Sequence, residues 1–82
     1  NEITTENNID IMPNPASNYF NIEGENIINV EIYNAVGQVV DIINVNGNNA
    51  QINTENYNNG IYFVRVLTSD ANVTVKKVVV SK

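Results

Sequence analysis

The chain has 82 residues, nine carboxylates against four bases, and neither cysteine nor histidine. That length fits one domain. The composition excludes disulfides, cysteine nucleophiles and histidine-based acid–base or transition-metal chemistry, and a net charge of −5 argues against nucleic acid as a partner. Ile and Val dominate the apolar residues, Leu occurs once, and Asn is the most frequent polar residue. β-Branched side chains suit a pleated, half-buried surface and Asn suits turns, so the chain is expected to form short strands joined by Asn-rich turns.

Residues 1–8 are polar with one isolated Ile, and read as a linker from a larger protein ahead of a domain over 9–82. Ile9-Asp10-Ile11 alternates as a half-buried strand should, and the two prolines of Met12-Pro13-Asn14-Pro15 stop it in a rigid corner. Tyr19-Phe20-Asn21-Ile22 is a second short strand. Glu23-Gly24-Glu25-Asn26 reads as a solvated turn; its oxygens suit calcium, but the EF-hand spacing is missing. Ile28, Val30 and Ile32 alternate inward along a third strand. A hairpin turn follows, with Gly37 where positive φ is needed.

The returning strand, 39–45, is expected to turn Val40 and Ile42 inward and Asp41 outward. Asn46-Gly47-Asn48-Asn49 reads as a further turn, and 50–52 as a short strand. In 61–67, Arg65 should face water and Tyr62, Val64 and Val66 the core. In 73–80, Val73 and Val75 differ in parity from Val78 and Val80, which favours a β-bulge at Lys76-Lys77 with both lysines outward over the plain alternative, Val73 and Val75 exposed at a sheet edge. Seven short strands with no helical period predict an all-β, seven-stranded antiparallel immunoglobulin-like sandwich. Its expected core is Ile9, Ile11, Phe20, Ile22, Ile28, Val30, Ile32, Val40, Ile42, Ile52, Tyr62, Val64, Val66, Val78 and Val80.

Charge is unevenly placed. Residues 1–64 hold eight acids and no base, whereas 65–82 hold Arg65, Lys76, Lys77 and Lys82 against Asp70 alone. No phosphate loop, nucleophile elbow or metal spacing is present, so the residues indicate no enzyme and no cofactor. Asn72-Val73-Thr74 matches a glycosylation sequon, expected by chance in so Asn-rich a chain. Tyr19, Tyr33 and Phe63 fall on outward parity.

The order of motifs carries a likeness. Pro13-Asn14-Pro15-Ala16 is followed by Val30-Glu31-Ile32-Tyr33-Asn34 with Gly37-Gln38-Val39-Val40. Tyr57 with Gly60-Ile61-Tyr62-Phe63-Val64 comes next, then Lys76-Lys77-Val78-Val79-Val80. From about Ile9 to Lys82 this resembles the type A C-terminal sorting domain of the type IX secretion system of Bacteroidetes, with Tyr57 where that family usually has Leu. The resemblance implies a non-catalytic export signal on an N-terminal cargo domain. It implies passage through the periplasm, recognition by the outer-membrane translocon and its shuttle protein, and removal by a surface sortase that cuts within 1–8, leaving the cargo at the cell surface or outside the cell. Pro13, Asn14, Pro15, Gly37, Gly60 and Tyr62 are then mainly structural, and Lys76, Lys77, Val78, Val79 and Lys82 are the candidates for translocon recognition. The alternative is a permanent accessory sandwich, sugar-binding or spacer, of a secreted enzyme. Lys82 as the natural C-terminus favours the signal.

Overall fold

β-Branched residues extend through this chain with few interruptions, and in the computed structural model, which describes residues 9–82, they form one antiparallel sheet. Its strands are β1 (Asp10–Met12), β2 (Tyr19–Asn34), β3 (Val39–Asn53), β4 (Gly60–Thr68) and β5 (Val73–Val80). β2 is the spine. β3 runs along one side of it, while β1 and then β4 occupy the other side in tandem, and β5 adds outside β4. The sheet curls until Ala16, just after β1, meets the end of β5 in a parallel bridge.

Five strands are present among the described residues rather than seven, and the sheet is a curled half-barrel rather than two separate layers. The reason is local. The two expected turns, Glu23–Asn26 and Asn46–Asn49, lie side by side and bend β2 and β3 together without reversing them. Asn26 and Asn46 take the bend at φ 56 and 51, where Asn is tolerated better than most residues. Asn48 Oδ1 accepts the Asn26 N–H at 3.0 Å, which ties the two kinks. The acidic stretch 23–26 is therefore a bend within a long strand. The Gly37 hairpin is present as expected, with Gly37 at φ +90 and Asn34 Oδ1 accepting the Val36 and Gln38 N–H groups.

The concave face encloses Ile9, Ala16, Phe20, Ile22, Ile27, Val30, Ile32, Ile52, Tyr57, Tyr62, Val64, Val66, Val78 and Val80. Three expected core residues are elsewhere. The register of β2 slips between Ile27 and Asn29 against both neighbours, so Ile28 is extruded and Ile27 takes the buried place. A second slip between Ile32 and Tyr33 offsets β3. Asp41 falls opposite buried Ile32, and Val40 and Ile42 are exposed. Ile43 and Val45 pack against the core in their place. Ile11 is only half-buried, because β1 lies at the margin of the curl.

The bulge expected at Lys76-Lys77 is absent. β4 and β5 pair in continuous register from Gly60↔Val80 to Leu67↔Val73. Lys76 and Thr74 take the inward positions opposite Val64 and Val66, and Val73 and Val75 are left exposed. β5 is the outer neighbour of β4, and at this end the core does not reach under it, so no burial is gained by a bulge.

Candidate recognition site

Most of the motif residues converge on β5. The corner after β1 carries two cis peptide bonds, Met12–Pro13 and Asn14–Pro15. It leads into a strap, residues 14–16, along the outer edge of β5. Asn14 uses its side chain as a strand would use a peptide group: Nδ2 donates to the Lys77 carbonyl at 3.1 Å, and Oδ1 accepts the Val79 N–H at 3.0 Å. Ala16 continues with its backbone, donating to the Val79 carbonyl at 2.7 Å and accepting the Ser81 N–H at 2.7 Å. Proline has no N–H to offer, so the amide of Asn14 supplies the donor that the corner lacks. Ala16 is fully buried, and its small side chain lets the strap approach.

The far end of the strap is fixed by Thr54, a buried hydroxyl that donates to the Ser17 carbonyl at 2.8 Å, while the Thr54 N–H donates to Asn18 O at 2.9 Å. No feature of the sequence marked Thr54. Gly60 opens β4 at φ +152 opposite Val80. A side chain there would meet no atom within 4 Å, so the backbone angle is what requires glycine. Tyr62, opposite Val78, is buried with its hydroxyl donating to Asn58 O at 2.7 Å and its ring 5.2 Å from that of Tyr57. Gly37 is remote from β5, but its hairpin and residues 58–62 line one shallow cavity of about 280 Å³.

The candidate recognition residues divide. Val78 is fully buried and serves the core. Val79 has both edge groups held by the strap. Lys82 is tied back through its N–H to Asn59 Oδ1 at 2.9 Å and its Nζ to Glu55 O at 2.7 Å. Lys76 and Lys77 are exposed, one on each face of β5, and no ion pair among the described residues holds either. Arg65 does have a partner, Glu31, at 3.3 Å. Glu31 also accepts the Tyr33 hydroxyl at 2.6 Å, a bond that raises the Tyr33 pKa by favouring the neutral phenol. Tyr33 and Phe63 are cross-strand partners on the convex face, and Tyr19 stands apart opposite Asn53. The proposed processing stretch, 1–8, lies outside the described residues.

The first and last motifs of this curled all-β domain thus meet along the outer edge of β5. The family model of the secretion system C-terminal sorting domain matches residues 10–81, and the chain belongs to that family, a signal for type IX secretion. Members of this family are generally non-catalytic, and the signal implies export toward the cell surface or extracellular space. The structure is similar, with a TM-score of 0.76 at 15% identity, to PorZ, an essential bacterial surface component of the type IX secretion system of Porphyromonas gingivalis. The likeness covers 92% of this chain and 12% of that one, and at this identity it is a likeness of fold. No curated protein matches the chain.

Proposed function

We propose that this domain is a non-catalytic sorting signal read in its folded state. The outer-membrane translocon and its shuttle protein recognise it after periplasmic transit with an N-terminal cargo domain, and a surface sortase then cuts within residues 1–8. The observation that carries this reading is the pairing of Asn14 and Ala16 with Lys77, Val79 and Ser81. It joins the first motif of the family to the last, so the basic strand has its shape only when the domain is folded. Lys76 and Lys77, exposed and without ion pairs among the described residues, are the residues of that strand best placed to meet the shuttle; long-range attraction to an acidic surface would speed the encounter. The test fuses residues 1–82 behind a periplasmic reporter in a cell with a type IX system. Surface exposure of the reporter is expected; retention in the periplasm overturns the reading.

A second reading, a sugar-binding accessory module, is favoured by one pocket of about 320 Å³ lined by Asn18, Tyr19, Gln51, Asn53 and Glu55. An exposed aromatic ring beside amides and a carboxylate suits a pyranose face and its hydroxyls. Loss of glycan-array binding on Tyr19→Ala would support it, and no binding by the parent chain would remove it.

A further inference from the structure

The strap covers only part of the β5 edge. Its hydrogen bonds engage the Lys77 carbonyl, both backbone groups of Val79 and the Ser81 N–H. In an antiparallel ladder the groups that point away from the neighbour recur at every second residue. The N–H and C=O of Val73 and Val75, and the N–H of Lys77, therefore point to the same outer edge, where no described segment lies against them. On its convex side this open half exposes two valines, Val73 at 45% and Val75 at 58%, followed by Lys77, with Leu67, Arg65 and Phe63 on the strand behind. On the other side it presents Thr74 and Lys76. Exposed edges of this kind are templates for a further strand.

We propose that the open edge from Val73 to Lys77 takes up one extended segment of the transport machinery by strand addition, a segment whose side chains alternate apolar and acidic. The proposal rests on the sorting reading above and names the chemistry of its partner. Alternation follows from the pleat: side chains of the added strand on the convex side meet Val73 and Val75, ahead of Lys77 at the end of the open edge, and those on the other side meet Lys76. Acidity follows from charge complementarity. Lys76 and Lys77 have no ion pair among the described residues, whereas residues 9–64 carry six acids and no base, Asp41 on the β3 edge and Asp10 on β1 among them. An acidic strand is repelled from those edges and drawn to this one.

Two measurements test it on the 82-residue chain. In the first, amide NMR follows addition of a synthetic peptide alternating valine and glutamate. The expected result is perturbation at Val73, Val75 and Lys77 but not at strap-bonded Val79, with binding at least tenfold weaker in the Lys76→Glu, Lys77→Glu double variant. Equal binding of a valine–lysine peptide, perturbation centred on β3, or self-association of the chain through this edge overturns the proposal. In the second, the double variant and Val75→Pro, which deletes an edge donor outside the β4 ladder, are fused to the reporter. Loss of export with an unchanged melting temperature in the double variant is expected. Normal export of the double variant, with the parent exported, overturns strand addition and leaves the sorting reading standing. A parent chain that is not exported overturns the sorting reading itself.

Discussion

The Tyr57 hydroxyl is buried without a hydrogen-bond partner among the described residues. A buried unsatisfied hydroxyl costs about 1–3 kcal/mol, so Tyr57→Phe is expected to raise stability by about 1 kcal/mol in a denaturant titration; a loss of stability would mean that the hydroxyl is satisfied. Burial also pushes the Tyr57 phenol up to about 12, with Asp41 and Tyr62 adding to it. The unfolded phenol ionises near ~10, so above that pH the unfolded state loses its proton first. Stability should therefore fall as pH rises from about 10 to about 12, and Tyr57→Phe should flatten that part of the profile. Asn14 is the other residue with a double duty. Asn14→Ala removes both bonds to β5 and should cost about 1–2 kcal/mol, measured as a shift in the urea midpoint. Asn14→Asp keeps the acceptor for Val79 but sets a second oxygen against the Lys77 carbonyl, so it should lie no higher than the parent.

Among the elements, β2 carries the sharpest consequence. Its slip at Ile28 exchanges the roles of two adjacent isoleucines. Ile27→Ala should cost about 2–5 kcal/mol, as buried aliphatic truncations do, and Ile28→Ala within about 0.5 kcal/mol, as surface changes do. Reversed costs in thermal melts would return Ile28 to the core. The same slip explains what sequence could and could not show. Strand positions, the Gly37 turn and the buried faces of 61–67 and of Val78 and Val80 were legible, because each rests on local alternation or a single φ. Parity in 27–28 and 39–45 was not, because it depends on which residue a neighbouring strand leaves unpaired, and Ile27-Ile28 and Val39-Val40 offer two equally apolar choices. Glu23–Asn26 and Asn46–Asn49 have turn composition, and only their pairing across the ribbon makes them a shared bend. In β5 the parity change between Val75 and Val78 predicts a bulge, but the core ends before Val75 and the strand stays regular. For the candidate site, the motifs were legible as a set, but their meeting on the β5 edge was not, since Asn14 and Lys77 are 63 residues apart.

At the scale of the molecule, the strap turns a curled sheet into a nearly closed one. The amides of Val79 and Ser81 lie on the last turn of that closure and are bonded to the first motif. They should exchange with solvent as slowly as the amides of β4, because they open only with the sheet. Rapid exchange at Val79 and Ser81, with β4 protected, would show that the strap opens on its own.

The strap lies parallel to β5, and this has a mechanical meaning. Tension drawn from the cargo side at Ile9 and resisted beyond Val80 pulls two parallel segments along each other in opposite directions. The bonds of Asn14 and Ala16 are then loaded together in shear, rather than one after another as in a zipper. Forced unfolding is governed by a rate rather than by equilibrium stability. Single-molecule pulling from the two ends should therefore show a high rupture force that collapses in Asn14→Ala, out of proportion to its cost in urea. A tag built in this way holds its shape under haulage.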